Sequence, residues 1–154
     1  MNIEKLNQWL TFGANVGVLA GIIFLAYELQ QNTQMMKSQT RAQVSEAIID
    51  NVDMGREPDV MRATLKLANN EQLTVEEEFI LDNAANATFR MWENNYYQFR
   101  SGLFDESEFE AELAVWRDVM SSDAIFQRHW QERKMTYSPN FRIYMDNLIG
   151  QVRE

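Results

Sequence analysis

Nineteen consecutive residues, Trp9 to Tyr27, carry no charged side chain, and only Thr11 and Asn15 among them are strongly polar. As an α-helix the run is about 28 Å long at ~1.5 Å per residue, close to the roughly 30 Å hydrocarbon core of a bilayer. Trp9 and Tyr27 bracket it as interfacial aromatics do, and Glu28, Gln30, Gln31 and Asn32 end it abruptly. A core helix of a soluble domain is seldom apolar on every side for this length. A signal peptide needs a small-x-small cleavage site after the apolar run, and AYELQQ is a poor one. The expected reading is a single transmembrane helix over residues 1–28, with the lipid bilayer as its first partner.

Three of the chain's six glycines, Gly13, Gly17 and Gly21, fall at four-residue intervals inside this run. On a helical wheel at ~100° per residue they share a sector about 80° wide with Leu10, Phe24 and Glu28. In lipid, apolar side chains gain nothing by leaving water for one another, so close backbone approach at small residues drives helix pairing. Thr11 and Asn15 lie nearly opposite, with Ile22 and Ala26, and an amide in hydrocarbon favours a hydrogen-bonding partner. Gly13, Gly17, Gly21, Asn15 and Thr11 are therefore the candidate helix–helix contacts, with other transmembrane helices, of this chain or of a larger complex, as partners.

The apolar pattern stops but helix formers continue: no glycine or proline occurs between Gly21 and Gly55. Residues 29–43 are poor in large apolar side chains and read as a helical stalk, after which Val44, Ile48 and Val52 restore core spacing. The remainder, 44–154, reads as a soluble all-α bundle of about five or six helices. Pro58 opens a short helix. Thr74 with Glu77 makes a capping box for the strongest soluble helix, which Gly102 closes. Leu81, Ala85, Phe89, Trp92, Tyr96, Phe99 and Leu103 recur along it at steps of four and three. Asp105 with Glu108 repeats the capping pattern before Phe109, Leu113, Trp116 and Met120. Ser122 or Asp123 starts the next helix, bearing Ile125, Phe126, His129 and Trp130. Ser138 and Pro139 open the last, where Phe141, Met145, Leu148 and Val152 align.

The formal net charge is −9, and the first forty residues hold only Glu4, Lys5, Glu28 and Lys37 among charged side chains. An acidic body lacks the clustered Lys and Arg that displace counterions from phosphates, so nucleic acid is not an expected partner. Much of the acid falls in first helical turns, where it favours the helix dipole. Lys5 on one side of the apolar run and Lys37 with Arg41 on the other signal orientation weakly, toward a cytoplasmic C-terminal domain.

Few parts for chemistry are present. The chain has one histidine, His129, and no cysteine, so thiolate sites and paired Glu-x-x-His di-metal sites are absent from the sequence. No Gly-x-Ser-x-Gly turn and no glycine-rich phosphate loop occur. Neither a metal nor a cofactor is expected, and neither is an enzymatic activity. The best polar constellation is Asp82, Asn86, Arg90, Glu93 and Tyr97 beside the aromatic stripe. With Trp92 it is a candidate small-ligand pocket between helices, set against a plain rim in which Arg90 pairs with Glu93 and Asn86. Asn86-Ala87-Thr88 also matches a glycosylation sequon, here inside a predicted helix.

At FLAYELQQNTQ, WENNYYQFRSGLFDE and YSPNFRIYMD the chain resembles a loose group of bacterial proteins with one N-terminal membrane helix and a helical tail. The resemblance implies a single-pass protein of a bacterial inner membrane and carries no catalytic residue with it. Together these readings lead to the expectation of a non-enzymatic, membrane-anchored helical protein that acts by assembly, as a homo-oligomer or an accessory subunit. Two alternatives stand beside it. One is a sensor or small-ligand-binding module with a cavity near Arg90 and Trp92. The other is a pore formed by a ring of N-terminal helices, which two opposed contact faces permit.

Overall fold

The computed structural model describes residues 2–152, with side chains through Gln151, and all of its regular structure is helical. Residues 1, 153 and 154 and the side chain of Val152 lie outside the described part. The first helix, α1 (Ile3–Arg56), is followed by α2 (Pro58–Ala68), α3 (Val75–Arg100), α4 (Glu106–Ser122), α5 (Ala124–Arg133) and α6 (Pro139–Val152). A single turn of 3₁₀ helix, Lys134–Thr136, follows α5. The chain divides into two units, one ending at Gln39 and one beginning at Thr40.

In the first unit no described residue is buried. Trp9, Leu10, Phe12, Ile22, Leu25 and Tyr27 are all open to the surroundings, and the most apolar 18-residue window has a mean hydropathy of 1.9. The helix is long and apolar enough here to cross a membrane.

The second unit is an aromatic-cored bundle built from the end of α1 and from α2 to α6. The helices α3, α4 and α5 each begin where a side chain offers the first amides an acceptor. Thr74 Oγ1 accepts from Glu77 N and the Glu77 carboxylate accepts from Thr74 N, at 3.2 and 2.9 Å, so the capping box is complete. Glu77 also holds Lys66 of α2 at 2.7 Å. Asp123 caps α5 by accepting from Ile125 N and Phe126 N, which makes it, and not Ser122, the first residue of the turn. At the start of α4, Asp105 accepts from Ser107 N, while Glu108 reaches Arg41 of α1 at 2.8 Å. Gly102 closes α3 at φ +71°, a left-handed conformation that costs glycine least.

Phe89 of α3 is the hub of the core. It is fully buried, and its ring centroid lies 5.1 Å from Trp92, 5.3 Å from Trp130, 5.5 Å from His129 and 5.6 Å from Phe126. Trp92 stacks on Trp116 of α4 at 5.0 Å, and Phe141 and Met145 of α6 close the opposite side. Phe104, in the α3–α4 connection, is a further core residue, packed edge-on against Phe109. On α1 the core pattern is shorter than its spacing suggests. Val44 is buried and Ile48 packs against the core, but Val52 is exposed, because the helix there turns Asn51 and Met54 inward instead.

Candidate functional site

Two regions carry the residues singled out above, and they belong to different units. In the first unit, Thr11, Gly13, Asn15, Gly17 and Gly21 are exposed along the apolar stretch of α1. A Cβ built on Gly13, Gly17 or Gly21 meets no atom within 4 Å. Nothing in the chain's own packing therefore calls for glycine at these positions, each of which weakens a helix by about 1 kcal/mol relative to alanine.

In the second unit, successive turns of α3 present Asp82, Asn86, Arg90 and Glu93 toward the end of α5 and the segment after it. His129, at 2% exposure, comes from the buried face of α5 and is held at both ring nitrogens. Nδ1 lies 2.7 Å from Asp82 Oδ1 and Nε2 lies 2.9 Å from the Tyr137 hydroxyl, which in turn donates to Asn86 Oδ1 at 3.1 Å. Two proton arrangements satisfy all four groups. With both ring nitrogens protonated, the ring donates to Asp82 and Tyr137, and the tyrosine donates onward to Asn86. With only Nδ1 protonated, Nε2 accepts from Tyr137 and the Asn86 amide turns to donate.

Arg90 and Glu93 lock the same corner. Arg90 Nη1 donates to Glu93 Oε2 at 2.9 Å, Nη2 donates to the Thr136 carbonyl at 3.2 Å, and the guanidinium lies 4.3 Å over the Tyr137 ring. Glu93 Oε1 accepts from Ser138 N at 2.6 Å. Burial alone raises the Glu93 carboxyl, but the Ser138 amide and Arg90 outweigh it and hold the group below its ordinary value. Burial pushes the Tyr137 hydroxyl up to about 12, against which the Arg90 charge acts only in part. The arrangement thus keeps Tyr137 a phenol and a hydrogen-bonding strut.

A cleft of about 240 Å³ opens beside this network, with Asn86, Arg90 and His129 among its walls and Phe79 and Arg133 at its sides. Trp92, Glu93 and Tyr97 are not among its lining residues. Trp92 is wedged between Phe89 and Trp116, and Tyr97 is exposed elsewhere on α3. Asn86 bonds Tyr137 where the plain-rim reading pairs it with Arg90. The sequon hydroxyl of Thr88 is buried, donating to the Ala84 carbonyl and accepting from Asn51 Nδ2. Tyr137 is the network residue that sequence reasoning missed. Its partners stand 8 and 51 residues away, and no local spacing joins them.

Among the described residues, the fold and these sites define an all-helical protein with one helix long and apolar enough to cross a membrane. Compared with known protein families, curated proteins and solved structures, the chain matches none.

Proposed function

We propose that this chain is a single-pass, membrane-anchored helical protein that works by assembly, as a homo-oligomer or as an accessory subunit of a larger complex in a bacterial inner membrane. The apolar part of α1 is both its anchor and its contact surface, and the bundle faces the cytoplasm. The observation that carries this reading is the open glycine ridge, Gly13, Gly17 and Gly21, in a stretch where no described residue is buried. Left in water, each large apolar side chain there forgoes roughly 1.5–3 kcal/mol of burial. Lipid removes that cost, and a glycine ridge in lipid lets a second backbone approach closely. Asn15, on the far side, supplies a hydrogen-bonding group for a second neighbour.

Photo-crosslinking in the native membrane tests the reading. A photoreactive phenylalanine at position 24, on the glycine sector, is expected to trap a protein neighbour, and one at position 23, off both faces, to trap mainly lipid. Equal trapping at the two positions contradicts the assigned face. Recovery of a shortened chain lacking residues 1–28 from cells identifies the segment as a cleaved leader and overturns the proposal.

A further inference from the structure

The bundle's second, smaller core cluster is built differently from the first. Around Phe89 the space is filled by aromatic rings, whereas the satellite cluster rests on Ala63, Leu81, Ala85 and Ile125. Ala63 and Ala85 are fully buried in it, and beside it a pocket of about 220 Å³ remains, bounded by the last turns of α1, by α2, by α3 and by the start of α5. Met54, Val60, Leu67, Leu81, Ile125 and Phe126 give it an apolar wall.

Its polar groups are few, and most are already engaged. Asp123 accepts from two α5 amides, at 2.8 and 3.2 Å. Thr64 donates to the Val60 carbonyl at 2.8 Å. Thr88 donates to the Ala84 carbonyl at 3.0 Å and accepts from Asn51 Nδ2 at 2.9 Å. That leaves the amide oxygen of Asn51 as the one side-chain amide acceptor of the pocket with no partner among the described residues. Asp123 uses only Oδ1 in its two bonds, so its carboxylate stands beside the Asn51 amide oxygen at the pocket, and a concave, largely apolar site with these acceptors favours a molecule that offers a donor and disfavours an anion. The volume lies below the roughly 300–1,000 Å³ of sites for drug-sized ligands.

We propose that this pocket binds a small uncharged aromatic molecule bearing one O–H or N–H donor, of phenol or indole size, with the donor on Asn51 Oδ1 and the ring between α2 and α3. The site is independent of the reading of the apolar segment. Three of its residues, Asn51, Met54 and Gly55, belong to α1, the helix that also carries the glycine ridge.

Calorimetric titration of the full-length chain in nanodiscs, with empty nanodiscs subtracted, tests it using phenol, toluene and benzoate. Phenol is expected to bind, toluene about fivefold or more weakly for want of the donor, and benzoate not measurably, since its charge would be desolvated without a partner. Ala84→Leu, which fills the pocket from α3, is expected to weaken phenol binding at least tenfold with the thermal midpoint kept or raised. Asn51→Leu is expected to bring phenol down to the toluene level. Thr64→Ile fills the pocket from α2 and reads the same should Ala84→Leu fail to fold. No phenol binding by the wild-type chain, undiminished binding in a folded pocket-filling variant, or equal affinity for all three probes overturns the proposal.

Discussion

Asp82 and His129, 47 residues apart in the chain, meet with Oδ1 2.7 Å from Nδ1, and through this bond α3 grips α5. His129 is buried, so removing its partner leaves a ring nitrogen without water. Asp82→Ala is expected to cost about 1–3 kcal/mol. A double-mutant cycle with His129→Phe, read by urea unfolding in detergent, should show coupling of about 1 kcal/mol or more. Additive losses would show that the bond contributes nothing of its own.

Phe89→Ala removes the ring on which five other aromatic side chains converge. The expected loss is about 3–5 kcal/mol. Tyr97→Ala, about two turns further along α3 but exposed, should change stability by less than about 0.5 kcal/mol. The two unfolding midpoints, measured side by side, separate the core of α3 from its surface.

Acid should loosen the bundle at identifiable carboxylates. Glu77 is held below its ordinary value of 4.5 by Lys66 and by the Thr74 amide. Asp146 is raised by burial but held below 3.8 overall by the Trp130 indole N–H and Lys134. Glu93 behaves likewise through Ser138 and Arg90. Each folded value lies below the unfolded one, so the stabilisation is complete above the ordinary carboxylate range and disappears as pH falls through it. The carboxylate contribution to the unfolding free energy should be complete above about pH 6 and drop below about pH 4. Glu93→Gln should make that drop shallower.

At the alkaline end the sign reverses in cause. Tyr137 and Tyr144 are pushed by burial from 10.0 to about 12. A folded value above the unfolded one gives stability that is intact below pH 10 and lost as pH rises toward 12. Absorbance of phenolate should therefore appear together with unfolding, and Tyr144→Phe should move the alkaline midpoint upward.

What is legible in this chain is what is local. The apolar run, the Thr74–Glu77 box, Pro58 and Pro139 at helix starts and the Phe109-to-Met120 face all act within a turn or two, and the helices stand where those signals put them. The spacing at Val52 misleads because two four-residue steps from Val44 advance about 80° around a helix, which carries Val52 out of the core. Trp92 belongs to the same stripe as Phe89, and that periodicity marks it as core more strongly than its place near Arg90 marks it as a pocket wall. The Asp82–His129–Tyr137–Asn86 network and the Arg41–Glu108 pair join distant segments, and only the folded chain brings them together.

If the glycine ridge holds a neighbour in the membrane, as proposed, the native mass of the protein extracted from its own membrane should differ between the wild-type chain and Gly17→Leu. The expected wild-type particle is heavier than the 18.1 kDa chain, made of several copies or of this chain with other subunits, and Gly17→Leu shifts toward the single chain with the helical content kept. A wild-type particle of one chain, or an assembly of the same mass and composition in Gly17→Leu, contradicts the proposal.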